Sequence, residues 1–132
     1  MTEADGATDW RKLREFAAID LTKSFALSWE LRANVLLIDA DLYLLPEHAF
    51  YEEPRPAEKV CIRAAVIEFP LCDGIVAENL PNTAEPTEVV GKLMPGAISG
   101  FRRLADGRYE ICGDFGVVNI DAERPFVRLK GP

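Results

Sequence analysis

Residues 25–44 decide the fold, and they read FALSWELRANVLLIDADLYL. Apolar and polar side chains alternate on both sides of the dipeptide Ala33-Asn34. Alternation with a period of two is typical of a β-strand that buries one face. A two-residue turn at this dipeptide, with Asn34 tolerating a positive φ, predicts a β-hairpin.

The register of this hairpin follows from its apolar faces. The predicted pairs are Leu31–Leu36, Trp29–Ile38, Leu27–Ala40 and Phe25–Leu42. In this register the apolar faces of the two strands coincide, and a slip of one residue would turn all of these side chains to the wrong face. Pro46 ends the second strand, because proline cannot donate to a central ladder.

Further strands follow along the chain. Residues 60–69 are apolar on both faces except at Arg63 and Glu68, which is typical of a central strand covered on both sides. Residues 97–104 and 108–115 predict a second hairpin around Asp106-Gly107, with the pairs Leu104–Tyr109, Arg103–Glu110 and Gly100–Gly113. The last two strands are predicted at residues 117–121 and 126–130.

The remaining segments are less regular. We expect a disordered tail over residues 1–9, a short helix over residues 9–16 capped by Thr8, and a single β domain over residues 10–132. Residues 46–58 form a Pro-rich acidic connection. Residues 73–96 form an irregular one, with a short strand at Val89-Val90. The sequence therefore predicts a mainly β fold, an antiparallel barrel or sandwich of about seven or eight strands with one short N-terminal helix.

Composition narrows the class of protein. The 132 residues include 22 acids and 15 bases, for a net charge of −7, which argues against nucleic acid as a partner. No apolar run approaches the roughly 20 residues that span a bilayer, and the first nine residues are polar. We therefore expect a cytoplasmic protein that is not bound to a membrane.

The three cysteines show no metal-ligand spacing. Cys61 and Cys112 are expected to be buried within strands, whereas Cys72, beside Asp73-Gly74, is the candidate for an accessible thiol. No catalytic motif accompanies them, so we predict no catalytic residue, no metal and no cofactor.

Asp39 and Asp41 share one face of a predicted strand, roughly 7 Å apart along it. Such a pair is most often part of a solvated face. Together with His48 and the downstream acids Glu47, Glu52 and Glu53, it could instead bind a divalent cation such as Mg or Ca.

The C-terminal part of the chain is the more basic, since residues 97–132 hold six bases and five acids. Arg102 falls on the same predicted face as Tyr109 and Ile111. An arginine on an apolar face pairs with a buried acid, lies at an edge, or binds an anionic ligand. A basic end on an acidic protein also favours self-association.

Three functions are compatible with this pattern. The first is a non-enzymatic binding or self-assembly module that forms a homo-oligomer or binds a protein partner. The second is a small enzyme or ligand-binding β-barrel, its polar pocket lined by Asp39, Asp41, His48, Tyr51, Arg63 and Arg102. The third is a weak single-stranded nucleic-acid binder that uses Arg102, Arg103, Arg108, Phe101 and Tyr109. The absence of a convergent catalytic set favours the first.

Overall fold

The computed structural model describes residues 6–53 and 60–130. Within these residues the chain forms nine strands and one α-helix, which confirms the mainly β fold class. The strands are β1 (Thr8–Asp9), β2 (Ile19–Arg32), β3 (Val35–Leu44), β4 (Cys61–Phe69), β5 (Gly74–Ala77), β6 (Gly96–Arg103), β7 (Tyr109–Gly113), β8 (Gly116–Asp121) and β9 (Phe126–Leu129). The helix α1 (Pro86–Lys92) lies between β5 and β6 in the chain.

The nine strands form one antiparallel sheet in the order β5-β8-β7-β6-β2-β3-β4-β9, with β1 paired to β6. The sheet is not closed into a barrel, because β5 and β9 each pair with one strand among those described. It curves so that its two halves share one core. Phe69 of β4 lies 6.1 Å from Phe101 of β6 and 5.6 Å from Tyr109 of β7, measured between ring centroids.

The hairpin of β2 and β3 begins as its sequence predicts. Leu31 pairs with Leu36 and Trp29 pairs with Ile38, so the two predicted pairs nearest the turn are confirmed. The turn residue with a positive φ is Ala33, at 57°, and not the expected asparagine. The apolar faces of both strands therefore coincide along this half of the hairpin.

A β-bulge at Leu27 changes the register in the middle of the hairpin. The observed pairs are Ser28–Asp39, Ala26–Ala40 and Phe25–Asp41. The predicted pairs Leu27–Ala40 and Phe25–Leu42 are therefore wrong. Because two residues of β2 lie against one residue of β3 at the bulge, the side chains from Ser24 to Ala26 change face.

A second irregularity in the pairing of β2 with β3 lies between Asp20 and Phe25. The buried hydroxyl of Ser24 holds this segment in place, accepting from the Tyr43 backbone N–H and donating to the Asp20 carbonyl oxygen, both at 2.9 Å. As a result Ala26 is fully buried, while Phe25 is 47% exposed. The outward position of this phenylalanine is thus built into the backbone of β2.

The hairpin of β6 and β7 is shifted by one residue from the predicted register. Leu104 and Arg108 pair through their backbones at 2.7 Å, and Gly107, at a φ of 92°, allows a three-residue turn in place of two. The predicted pairs Leu104–Tyr109, Arg103–Glu110 and Gly100–Gly113 are therefore wrong, and the observed ones include Arg103–Tyr109, Arg102–Glu110 and Gly100–Cys112. The Arg108 backbone N–H donates to the Asp106 carboxylate at 3.0 Å, and this hydrogen bond lowers the pKa of Asp106.

The N-terminal helical segment is present as two 3₁₀ turns, Trp10–Lys12 and Arg14–Phe16, and the capping residue of the first is Asp9 in place of Thr8. Leu13 between them is extended. The aromatic and apolar side chains of this segment recur every three residues, which matches the 3₁₀ period and buries all of them.

The segment over residues 73–96 is more regular than its sequence predicts. It contains β5 and α1, and the strand expected at Val89-Val90 is wrong, because both residues are buried on the helix. Pro86 in the first turn and a Glu88–Lys92 ion pair at 3.6 Å suit a helix.

Two predicted segments lie partly outside the described residues. Residues 1–5 of the predicted tail and residues 54–58 of the Pro-rich connection belong to the ranges that are not described. Thr8 and Asp9, at the end of the predicted tail, pair with Arg103 and Arg102 of β6. In the part of the chain that is described, no helix has the length and apolar character needed to cross a membrane.

Candidate interaction surface

The sheet formed by β2, β3, β4 and β9 presents one face to the core and the other outward. Leu36, Ile38, Ala40, Leu42 and Leu44 of β3 point into the core and are at most 1% exposed. The residues between them point outward together with their cross-strand neighbours. We call this side the outer face; it comprises Phe25, Leu27, Ser28 and Glu30 of β2, Leu37, Asp39, Asp41 and Tyr43 of β3, Ile62, Ala64, Val66 and Glu68 of β4, and Phe126 and Arg128 of β9.

The outer face carries large apolar side chains that are exposed. They are Phe25, Leu27, Ile62 and Phe126, each between 42% and 48% exposed. Phe25, Leu27 and Ile62 lie on the strands either side of β3, whereas Phe126 pairs with Glu68 at the other end of the face. Clusters of exposed apolar residues mark binding surfaces more often than single ones do. The bulge at Leu27 is what brings the two apolar side chains of β2 onto this face.

The Asp39 carboxylate on the outer face has both a hydrogen-bond donor and a cationic partner. It accepts from the Ser28 hydroxyl at 3.2 Å and forms an ion pair with Lys130 at 3.2 Å. In the same way, Glu68 of β4 is bound by Arg128 of β9. The bases that follow β4 in the sheet thus neutralise acids on the two central strands.

Asp41 has different surroundings. It pairs in register with Phe25 on one side and Ala64 on the other, and Tyr43, two residues along β3, pairs with Ile62. Among the described residues no cation lies within ion-pair distance of the Asp41 carboxylate. Among the described residues this carboxylate thus has no ionic partner, and its cross-strand neighbours are apolar.

Lys23 completes this region. Its ammonium group lies 5.1 Å from the centroid of the Tyr43 ring, a cation–π contact, and it too has no acidic partner among the residues described. We call the set Lys23, Phe25, Leu27, Asp41, Tyr43, Ile62 and Ala64 the Asp41 patch. It combines one free acid, one free base and exposed apolar surface.

The other predicted site residues lie elsewhere. Arg63 is on the core-facing side of β4, paired with Leu42, and its guanidinium reaches Glu52 at 2.6 Å. The His48 ring nitrogen Nδ1 accepts from the Phe50 backbone N–H at 3.0 Å in the turn after β3. The structure therefore brings Asp39 and Asp41 together, as predicted, but on the opposite face of the sheet from Arg63.

Tyr51 follows the same turn and packs against the core. Its partial burial, and then the charge of Glu53, raise the pKa of its hydroxyl. Among the described residues, no group of three or more His, Cys, Asp and Glu side chains is arranged to hold a metal ion.

Arg102 is on the surface of β6, and its predicted position on the apolar face is wrong because the hairpin register is shifted. It forms an ion pair with Glu110 at 2.9 Å and is 44% exposed. The other C-terminal bases are mostly paired as well, in Arg108–Asp106, Arg124–Glu15, Arg128–Glu68 and Lys130–Asp39. The basic end expected from the sequence is thus largely neutralised within the chain.

The same shift removes the aromatic surface needed for base stacking. Phe101 and Tyr109, which the nucleic-acid hypothesis requires on the surface, are each 2% exposed. Burial raises the pKa of the Tyr109 hydroxyl, with the charge of Arg103 acting in the opposite direction. These two rings hold the core together instead.

Two of the three cysteines differ from prediction. Cys61 is buried as expected and Cys112 is half-buried, but Cys72 is only 5% exposed and is not an accessible thiol. Burial raises the pKa of both Cys72 and Cys112. A buried thiol with a raised pKa is a weak nucleophile at neutral pH.

The sequence pattern gives no prediction for Lys23 and places Phe25 and Leu27 on the core-facing side. The unbroken alternation through this part of β2 gives no local signal of a bulge, so these two apolar side chains were assigned by the wrong parity. Comparison with models of protein families, with curated proteins and with solved structures finds no match to this chain.

Proposed function

We propose that this protein is a non-enzymatic self-association module and that the outer face binds a second copy of the chain. The observation that carries the proposal is the Asp41 patch. It holds a carboxylate and an ammonium group that have no ionic partner among the described residues, on one surface with exposed apolar side chains.

Charge does not prevent a second copy from binding at the outer face. The chain has a net charge of −7, so two copies repel each other over most of their surfaces. On the outer face the repulsion is reduced, since Asp39 and Glu68 are neutralised by Lys130 and Arg128. The ion pairs therefore lower the electrostatic cost of bringing a second acidic copy against this face.

The unpaired charges are self-complementary. In a two-fold dimer the same patch meets itself, so that a contact made by one copy is made again by the other. Lys23 of one copy and Asp41 of the other then form two equivalent ion pairs. Phe25, Leu27 and Ile62 around them exclude water, which strengthens each pair.

The outer face is large enough for such an interface. Three strands about 4.8 Å apart and about ten residues long, with the four residues of β9 beside them, cover roughly 500 Å² as a flat area. The accessible surface of the side chains on it is larger, and approaches the roughly 800 Å² per partner of a standard interface. The self-association is expected to be specific and of moderate affinity.

Sedimentation velocity over a concentration series up to about 1 mM tests the proposal. We expect a dimer for the natural sequence and a monomer for the double variant Phe25→Ser/Leu27→Ser. Phe50→Ser is the matched control, because Phe50 is 64% exposed but lies outside the outer face. This control should dimerise normally.

A charge swap tests the ion pairs. Asp41→Lys and Lys23→Glu should each weaken dimerisation at least about tenfold, and the double swap should restore it. A natural sequence that remains monomeric throughout the series refutes self-association. Equal loss in the Phe50→Ser control, or no rescue by the double swap, refutes the assigned surface.

A further inference from the structure

A cavity of about 350 Å³ opens where the N-terminal 3₁₀ turns meet the start of β2. Its lining residues are Trp10, Arg11, Phe16, Ala17, Ala18, Ile19, Asp20, Thr22 and Leu45. Small-molecule sites in proteins are typically about 300–1,000 Å³ in volume. None of the six site residues predicted from the sequence lines this cavity.

The floor of the cavity is apolar and rigid. Trp10, Phe16 and Ile19 line it and are each at most 6% exposed, because their other sides pack into the core. The Phe16 ring lies 4.9 Å from the Phe101 ring in an edge-on contact, measured between centroids. An apolar group of a ligand would therefore meet a preformed surface that needs no rearrangement.

The backbone at the rim is held in a strained conformation. Ala18 has a φ of 60°, which a residue with a side chain adopts at a cost. The Ala18 carbonyl oxygen accepts from the Leu45 backbone N–H at 2.9 Å, so the strain is fixed by a bond across the cavity wall. Strain of this kind is more common at binding sites than elsewhere.

A positive charge lies at one part of the lining. The Arg11 guanidinium lies 4.6 Å from the centroid of the Trp10 ring, and one of its nitrogens, Nη1, pairs with Asp9 at 2.9 Å. The side chain is 64% exposed. A planar guanidinium that is already oriented by an aromatic ring and one acid retains further N–H donors for a carboxylate.

A negative charge lies at another part. The Asp20 carboxylate uses one oxygen, Oδ1, to accept from both the backbone N–H of Thr22 at 3.1 Å and its hydroxyl at 2.7 Å. These bonds fix the carboxylate and leave Oδ2 as an acceptor. Arg11 and Asp20 line the same cavity, yet they form no ion pair with each other among the described contacts.

We propose that this cavity binds a small zwitterion with an apolar side chain, of the free α-amino acid class. Arg11 binds the carboxylate of the ligand, Asp20 Oδ2 accepts from its ammonium group, and the side chain packs on Trp10 and Phe16. This arrangement uses two groups of opposite charge that line the same cavity and form no ion pair with each other. The site is distinct from the Asp41 patch and does not depend on dimerisation.

Isothermal titration calorimetry with L-alanine, L-leucine, L-phenylalanine and L-tryptophan tests the proposal. We expect one site per chain for at least one of the larger three. For L-phenylalanine, the matched probes are 2-phenylethylamine, which lacks the carboxylate, and 3-phenylpropionate, which lacks the ammonium group. Each should bind at least about tenfold more weakly, because each loses one charge-assisted hydrogen bond.

Variants test which residue binds which charged group of the ligand. Arg11→Gln should remove the preference for L-phenylalanine over 2-phenylethylamine, and Asp20→Asn the preference over 3-phenylpropionate. Arg14→Gln and Asp39→Asn are the controls, since neither residue lines the cavity. Near-ultraviolet circular dichroism checks that each variant is folded. If Asp20→Asn unfolds, Arg11→Gln still tests the proposal. The proposal is overturned if no amino acid binds below about 10 mM, or if the controls lose as much affinity as the cavity variants.

Discussion

Replacing Ser24 by alanine tests how the outer face is formed. The Ser24 hydroxyl is 1% exposed and makes two hydrogen bonds of 2.9 Å, one from the Tyr43 backbone N–H and one to the Asp20 carbonyl oxygen. These bonds hold the irregular stretch of β2 against β3. Without them the segment that turns Phe25 outward loses its main polar support.

The cost follows from the groups that are left without a partner. A buried donor or acceptor that loses its hydrogen bond costs about 1–3 kcal/mol. The Tyr43 N–H bears this cost in full, whereas the Asp20 carbonyl lies in a half-exposed residue and regains part of it from water. We therefore expect Ser24→Ala to lower the free energy of unfolding by about 2–4 kcal/mol.

Urea unfolding, at one protein concentration because dimerisation shifts apparent stability, measures this difference. The matched control is Ser28→Ala, since Ser28 lies on the same strand and its hydroxyl makes one exposed bond, of 3.2 Å, to Asp39. The control should cost at most about 1 kcal/mol. A Ser24→Ala loss no larger than that of the control would refute the role given to this hydroxyl.

Three further predictions concern the core and its titration. Gly113→Ala should lower the free energy of unfolding in urea by roughly 3 kcal/mol or more, because the added Cβ would overlap the Ala97 carbonyl oxygen. Gly91→Ala should raise it by about 0.5–1 kcal/mol, because nothing lies near the added Cβ in α1. Cys72 should react with a thiol reagent much more slowly in the folded protein than in urea, and equal rates would contradict its burial. Burial raises the pKa of Cys72 and Tyr109 in the folded state. The contribution of these two groups to stability should therefore be complete below about pH 8 and be lost as the pH rises above the ordinary pKa values of Cys and Tyr, about 8.5 and 10. A melting temperature that does not change between about pH 7 and pH 11 would contradict this.

The strand pattern predicts most of the sheet because burial imposes alternation directly on the sequence. The turn at Ala33 and the pairs Leu31–Leu36 and Trp29–Ile38 follow from it. The bulge does not, since apolar residues continue at every second position through Leu27 and Phe25. Its position depends on the buried hydroxyl of Ser24 and on the pairing of β2 with β6, both of which are tertiary contacts.

The predicted register of β6 against β7 and the strand predicted at Val89-Val90 were wrong for related reasons. Asp106-Gly107 fits a two-residue and a three-residue turn equally well, and the choice reverses the face of Arg102. The β-branched pair Val89-Val90 fits a strand as well as one face of a short helix, so neighbouring packing decides.

The candidate site was predictable only in part. Asp39 and Asp41 share an exposed face because residues two apart on a strand always do. The partners that distinguish them, Lys130 for the first and an apolar ring for the second, come from strands distant in the chain. No local pattern in the sequence contains that information.

The register of β2 against β3 in solution tests the central claim most directly, because Phe25 and Leu27 reach the outer face only if the bulge is present. Nuclear Overhauser contacts between backbone protons report which residues of the two strands are opposite each other. The account predicts contacts from Ala26 to Ala40 and from Ser28 to Asp39, with Leu27 left as the extra residue. Contacts from Leu27 to Ala40 and from Phe25 to Leu42 would contradict it, since both side chains would then point into the core.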